Sequence, residues 1–416
     1  MASLFVGVDL GKRQNVAIGL DGDGAKRFTL RFPSLREGFE ELERQIRASL
    51  GGRGPEACLV GMEATSSFWI CLSRFLEERG FAYRLVNPFT VNRVREGLNL
   101  DRTKTDHRDA AMIAELVRKG VVTKTRLMAE PYASLRRAYR EHRHVQGILV
   151  GVRISIHQCL GRLFPEYTLV FPDIFSGTSL GVLRLGLHAH EIAQMPWRRF
   201  EALVRDHSHA KRLAVHQLQR LHTRAQCSIA VPEGAEAAKR QLVRLMTTVE
   251  HLQGQLNAIE QEFALYLGQL PEAAHLLTMP GMGPILVAGL LGEIGDVRCY
   301  TSAKDIIKLA GCQPTALESG EFVGATHPIS KKGNSNLRTI AFLAALVCVQ
   351  RNPVVAAYHQ RLKTRSERPL KPMQALTATM NKVLTVVYTL ARKRVDWDPN
   401  YEWHKEREHE VEAKVV

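Results

Sequence analysis

The sequence predicts an α/β domain followed by mostly helical material. Three observations carry that reading. Short apolar runs alternate with helix-period segments over roughly the first 125 residues. Apolar residues then repeat in heptad fashion from 242 to 266, and the region from Leu276 to about Arg394 is helix-patterned. At 416 residues the chain exceeds one ordinary domain, so two globular domains with connecting helices are expected, divided as 1–128, 129–270, 271–396 and a polar tail 397–416. With 45% hydrophobic and 24% charged residues, it belongs to the globular class and not to the disordered one.

In order along the chain, Leu4 to Asp9 is a short apolar strand and Val16 to Leu20 a second, followed by the hairpin-type turn Asp21-Gly22-Asp23-Gly24. A helix from about Leu35 to Leu50 stops at Gly51-Gly52. Ala57 to Met62 reads as a buried strand, Phe68 to Glu78 as a helix closed by Gly80, and Tyr83 to Val86 as another strand. Asp106 to Lys119 is a helix ending at Gly120. From Pro131 to about Gly161 the chain turns helical and basic, with Arg136, Arg137, Arg140, Arg143, Arg153 and Arg162 set against Glu141. Residues 165–235, rich in Gly, Pro, His and Arg, read as a small helical subdomain. Leu242, Leu245, Val249, Leu252, Leu256, Ile259, Phe263 and Tyr266 alternate in steps of three and four. That is the seam of a coiled coil, or equally of an amphipathic helix packed on its own domain. Lys405 to Lys414 reads as a frayed helix or tail.

Lys and Arg total 57 against 42 Asp and Glu, a net charge of +15. Such an excess points to a polyanionic partner, since each neutralised phosphate releases counterions; a merely solubilising surface is the alternative. No apolar run reaches the eighteen or so residues of a membrane helix, and the N-terminus enters a strand pattern without a signal core, so a cytoplasmic location is expected. The seven cysteines are scattered without a C-x-x-C pair, which argues against a zinc knuckle or disulfide framework and for small buried hydrophobes.

Four carboxylates stand out. Asp9 ends the first strand and Glu63 ends the strand Val60-Gly61-Met62-Glu63, at the edge where α/β sheets usually bind ligands. Asp106 and Asp109, three apart at the start of a helix, share one face. Hard divalent cations such as Mg²⁺ prefer such oxygen donors, and two ions about 3.5–4 Å apart can clamp both oxygens of a phosphoryl transfer. The structural alternative for Asp9 is that it caps a turn, and Asp106 is expected in addition to be the N-cap of its helix.

In the last region, Leu277-Thr278-Met279-Pro280-Gly281-Met282-Gly283-Pro284 resembles the turn of a helix-hairpin-helix unit. Gly281 and Gly283 would let backbone N–H groups approach a phosphate at a helix N-terminus, although a plain turn between packed helices fits equally. Ala310-Gly311-Cys312-Gln313-Pro314, Glu318-Ser319-Gly320 and Ile329 to Arg338 follow. The last run opens an apolar helix that Asn334 or Ser335 can cap, and with Lys331, Lys332 and Arg338 it can hold a phosphate. By composition alone, Ser319 reads as a turn serine.

Asp-Leu-Gly-Lys at 9–12, Glu-Ala-Thr at 63–65 and Lys-Thr-Asp-His-Arg-Asp-Ala at 104–110 closely resemble the DEDD transposases of insertion-sequence family one-ten and the related Piv-type DNA invertases. The resemblance implies a RuvC-like (RNase H-like) first domain whose metal ligands are Asp9, Glu63, Asp106 and Asp109, sharing two Mg²⁺ sites. The order Ala-Gly-x-x-Pro, Ser-Gly, Ser-Lys-x-Gly-Asn-x-x-x-Arg resembles the family's second transposase domain. It implies a serine nucleophile, placed on Ser319 with Ser330 second. The implied function is a recombinase that cuts and rejoins DNA under the direction of a structured noncoding guide RNA from its own element. Arg136, Arg137 and Arg140 would then follow nucleic-acid backbone. The seam and the need to join four DNA ends point to a dimer or tetramer. Residues 165–235 have no counterpart that can be placed, and they make the chain longer than expected for the family. A RuvC-type junction nuclease and a non-catalytic nucleic-acid-binding protein are the rivals; the serine motif argues against the first and the four ordered acids against the second.

Overall fold

The computed structural model describes residues 2–63, 68–87, 91, 105–122, 127–208, 212–315, 318–319, 322–323 and 328–400. Thr65, Lys104, Gly320 and the tail Lys405 to Lys414 lie outside the described residues. The chain forms two compact units, Met1–Met128 and Ala129–Val416.

The first unit is built on a five-stranded sheet of β1 (Leu4–Asp9), β2 (Gln14–Asp21), β3 (Lys26–Pro33), β4 (Cys58–Glu63) and β5 (Ala82–Val86), in the order β3-β2-β1-β4-β5. β1, β2 and β3 form an antiparallel meander, while β4 and β5 run parallel to β1. The hairpin turn forms because Asp21 Oδ1 accepts the N–H groups of Asp23 and Ala25, and Gly24 takes φ 88°. Parallel pairing needs crossovers, which α1 (Arg36–Leu50) and α2 (Phe68–Glu78) supply. Leu42, Ile46 and Leu50 repeat every fourth residue and bury with Leu72 and Leu76 against Leu4, Val6, Val8, Val60 and Met62 on one sheet face. On the other face lies α3 (Asp106–Arg118), with Ala110 and Ala114 against Val16, Ile18 and Leu20, and Ile113 and Val117 against Val86. Its N-cap is Thr105, whose hydroxyl accepts the Arg108 N–H; Asp106 is the first helical residue, so the N-cap expectation for Asp106 is corrected.

The second unit is helical. α4 (Tyr132–Leu163) and α10 (Ala235–Leu267) lie antiparallel: Arg162 near the end of α4 donates to the Glu233 carbonyl, and the His142 ring stacks 5.5 Å from Phe263 at the opposite end. On α10, Leu242, Val249, Leu252, Leu256, Ile259 and Phe263 are buried as the seam requires. Met246 and Leu267 are buried where Leu245 and Tyr266 were expected, a drift of one residue. The helix that covers the seam is α4 of the same chain. Between the two long helices stand α5 (Tyr167–Val170), α6 (Gly177–Leu185), α7 (Ala189–Gln194), α8 (Trp197–His207) and α9 (Val215–Ala225).

Beyond α10 come α11 (Pro271–Leu277), α12 (Pro284–Ile294), α13 (Ala303–Leu309), the short strands β6 (Glu318–Ser319) and β7 (Phe322–Val323), then α14 (Ser335–Arg351), α15 (Pro353–Thr364) and α16 (Pro372–Lys393). α16 is the hub, packing against α11, α13, α14 and α15. Among the described residues no single helix is long and apolar enough to cross a membrane; only α14 and α15 pass such a test together, and they bend by 101°.

Candidate functional site

The four acids converge on one end of the first unit's sheet. β1 and β4 are parallel neighbours with Gly7 opposite Gly61 and Val8 opposite Met62, so Asp9 and Glu63 end adjacent strands about 4.8 Å apart. Side-chain alternation puts them on the same face as Gly7 and Gly61. That face carries α3, and the two glycines let it lie close. A Cβ on Gly7 would stand 2.2 Å from the Ala110 carbonyl oxygen, and one on Gly61 would stand 2.0 Å from Val117 Cγ2. α3 runs antiparallel to β1, because Arg118 near its C-terminus donates to the Gly22 carbonyl (3.0 Å) at the far end of the strand. Its first turn, bearing exposed Asp106 and buried Asp109, therefore lies at the Asp9–Glu63 end. Behind Asp9, buried Asn15 accepts the Gly11 N–H (3.1 Å) and the Ser34 hydroxyl (3.2 Å), fixing the turn that follows the strand.

Carboxylate oxygens suit a hard divalent cation, and an α-helix N-terminus tolerates the clustered negative charge. Among the described residues, however, no three His, Cys, Asp or Glu side chains converge closely enough to hold a metal ion. The acids are gathered on one edge and not closed on one point.

In the second unit a buried acid that sequence reasoning missed organises the predicted nucleic-acid residues. Glu293, at the end of α12, is fully buried. Arg140 grips it with two hydrogen bonds, Nε to Oε1 at 2.7 Å and Nη2 to Oε2 at 2.9 Å. Arg136 donates to the carbonyls of Gly292 (2.8 Å) and Glu293 (2.9 Å). The approach depends on small residues: a Cβ on Gly289 would meet the Tyr139 ring at 2.6 Å, and one on Gly292 the Arg136 backbone at 3.0 Å. Burial lowers the Arg136 guanidinium and the Glu293 hydrogen bond raises that of Arg140, yet both remain cations. Arg136 and Arg140 thus serve an internal ion pair where the sequence suggested nucleic-acid backbone; Arg137 is exposed. The available signal was one acid inside the apolar run of α12, facing arginines at 136 and 140.

The same knot reaches the basic loop. Asn334 Nδ2 donates to Glu293 Oε2 (2.7 Å), while its Oδ1 caps α14 by accepting from Asn336 and Leu337 N–H. Arg338 donates to the carbonyls of Ala310 and Lys331, lashing the loop to the Ala310-Gly311-Cys312 turn. Gly311 (φ 66°) and Lys331 (φ 53°) adopt left-handed backbone there, and a Cβ on Gly333 would meet the Leu309 oxygen at 2.4 Å. Asn334 and Arg338 are therefore structural ties, whereas Lys331 and Lys332 are exposed. Ser319 pairs with Phe322 in the β6–β7 hairpin, and Ser330 N–H donates to the Gln313 carbonyl. In the α11–α12 turn, Gly281 (φ 94°) packs against the α14 backbone at Cys348, and Gly283 stands open as the N-cap of α12.

Two family models match this chain. One, a transposase model of the DEDD, IS110 kind, matches residues 6–165; the other, described as Transposase IS116/IS110/IS902 family, matches residues 273–360. The chain is 23% identical over 402 residues to an insertion element IS110 protein of 43.6 kDa from Streptomyces coelicolor, covering 94% of each. It is 23% identical over 404 residues to the pilin gene-inverting protein of Moraxella bovis, covering 96% of this chain and 98% of the relative. A transposase for insertion sequence element IS1328 from Yersinia enterocolitica is 32% identical over 139 residues, 30% of this chain and 41% of that one.

Proposed function

The chain belongs to the DEDD transposases of the IS110 family and is a DNA recombinase, and from that premise we propose that it cuts and rejoins DNA with the carboxylates of its first unit and a serine of its second. The observation that carries the proposal is the gathering of Asp9, Glu63, Asp106 and Asp109 at one sheet end by strand register and by α3. The sheet order, an antiparallel meander followed by two parallel strands, supports reading this unit as RuvC-like. Held by these oxygens, a divalent cation, Mg²⁺ by donor type, would stabilise the charge developing on a scissile phosphate.

Ser319 is the proposed nucleophile and Ser330 the second candidate. Its Oγ–P bond forms as the phosphate's bond to one sugar oxygen breaks, and the hydroxyl proton ends on that departing oxygen. Attack by a sugar hydroxyl reverses the step without an outside energy source. The α11–α12 turn with Gly281 and Gly283, together with Lys331 and Lys332, is read as phosphate-facing. A guide RNA, a dimer or tetramer and a cytoplasmic location complete the reading. The RNA rests on family resemblance and the +15 charge; the assembly rests on the need to hold four DNA ends, since the α10 seam is taken by α4.

The test is to incubate the purified chain with element-end DNA, with and without co-purified RNA, and look for a covalent protein–DNA adduct. Ser319→Ala should bind nucleic acid and form no adduct. If Ser330→Ala alone abolishes the adduct, the nucleophile is Ser330; if both variants recombine DNA, the serine mechanism fails. Asp106→Asn and Glu63→Gln should lose cleavage with the fold intact, and full activity in EDTA would refute the metal assignment.

A further inference from the structure

Residues 166–272 lie between the two family-matched spans, and α9 within them presents a basic, acid-free surface. Several arginines on the other helices have acids three or four residues away. Arg36 pairs with Glu40 and Arg47 with Glu43 on α1, Arg74 with Glu78 on α2, Arg118 with Glu115 on α3, and Arg205 with Glu201 on α8. α9 has no such partner: the sequence contains no Asp or Glu from His207 to Pro232.

α9 buries Leu218, Leu221 and Ala225, and the His222 ring packs 5.9 Å from Trp197 and 5.8 Å from Phe200 of α8. The opposite face exposes His216, Gln219, Arg220, Thr223 and Arg224. His216, Arg220 and Arg224 fall four residues apart, so their Cα atoms rise by about 6 Å per step along one ridge. Every side chain on that face can donate a hydrogen bond, and none is a carboxylate. Glu166, the acid that Arg224 senses electrostatically, has its oxygens occupied by Ser228 Oγ (2.7 Å) and Ile229 N–H (3.0 Å). An ordinary solvated helix face intersperses both signs, as α1, α2 and α8 do.

We propose that the exposed ridge of α9 is a nucleic-acid docking surface, binding the phosphodiester backbone of duplex DNA through Arg220 and Arg224 without reading its sequence. Planar guanidiniums suit phosphate oxygens, and Gln219 and Thr223 are typical backbone-contact side chains. DNA is the partner favoured by the recombinase activity. The surface depends on neither the acids nor the serine, so its failure and the failure of the catalytic reading are separable.

The test uses the full chain carrying Arg220→Gln and Arg224→Gln, titrated against a fluorescent duplex of unrelated sequence from about 50 to 200 mM salt. Each lost phosphate contact should reduce the slope of log affinity against log salt by about 0.9, so the double variant should be shallower by about 1.8. The weakening should be the same for different duplex sequences. Arg205→Gln, whose parent arginine is already paired with Glu201, is the control and should leave the slope unchanged. An unchanged slope in the double variant overturns the proposal. So does a change seen with single-stranded RNA and not with duplex DNA, which would assign the ridge to RNA.

Discussion

Gly7→Ala tests the contact that brings the acids together. The added Cβ would lie 2.2 Å from the Ala110 oxygen, 2.2 Å from the Ala114 nitrogen and 2.8 Å from the Ala114 Cα. Ordinary carbon contacts lie at about 3.5–4.0 Å, and every obstructing atom is backbone, so α3 must lift from the sheet by more than about 1 Å. Overpacking of this kind costs about 1–3 kcal/mol, which is a loss of roughly 5- to 150-fold in local protection. Lifting α3 also displaces Asp106 and Asp109 from Asp9, and a shift of about 1 Å at a reacting centre can cost about 100-fold in rate. Hydrogen exchange of the peptides covering β1 and α3 reads the first effect, and strand cleavage at saturating DNA reads the second. Exchange is preferred to a melting temperature because two units need not unfold together. The control is Gly22→Ala, whose added Cβ meets nothing within 4 Å. If Gly7→Ala behaves like Gly22→Ala in both assays, α3 does not rest on β1 as described and the argument for a common site loses its basis.

Glu293→Gln leaves Arg136 and Arg140 without their counter-charge; because Arg140 is 48% exposed, the loss should be about 2–3 kcal/mol and not the 3–5 of a fully buried pair, measured by equilibrium unfolding, and a change under about 0.5 kcal/mol would contradict it. Leu256→Ala, at a seam position 1% exposed, should cost about 2–5 kcal/mol, and a neutral result would deny the α4–α10 packing. At pH 8 a thiol reagent should label Cys71, Cys227 and Cys299 in the native protein; Cys58, pushed by burial up to about 12, and Cys312 and Cys348, at about 11, should react only on unfolding, as mass spectrometry can check. The Arg118 hydrogen bond, with Lys119 aiding, holds Glu115 at about 2 against an ordinary 4.5, so its stabilising contribution is complete above about pH 4.5 and fades as pH falls toward 2; urea midpoints across that window should fall less steeply in Arg118→Gln.

Much of the first unit is legible in the sequence. Apolar runs flanked by turn residues locate β1, β4 and β5 within a residue or two, and α2 at Phe68–Glu78, because burial on both faces leaves a continuous hydrophobic signature. β3 lacks the continuous apolar run that marks β1 and β4, and only the alternation of Phe28, Leu30 and Phe32 identifies it as an edge strand. The acids were legible as strand ends, but their common face depends on Gly7 and Gly61, which only the close approach of α3 explains. In the second unit, periodicity revealed the α10 stripe and could not say whether its partner was another subunit or α4. For a related reason the sequence does not reveal the internal partner of Arg136 and Arg140. A basic helix face specifies an anion, and nothing local distinguishes a phosphate from a buried Glu293 more than 150 residues away. Thr105 took the cap expected of Asp106 because the chain enters the helix one residue earlier.

The antiparallel pair of α4 and α10 is also a ruler. Thirty-two residues at 1.5 Å each give α4 a length of about 48 Å, roughly fourteen base pairs of duplex. At one end the Glu293 knot anchors the region of the second family match; at the other, the five short helices bearing the arginine ridge are spliced in. Because the two helices share one seam, their separation cannot be tuned residue by residue: a length change keeps both apolar stripes facing only if about seven residues enter each helix together, moving the far end in steps of about 10 Å. The spacing between the Glu293 knot and the arginine ridge is in this sense quantised by side-chain packing.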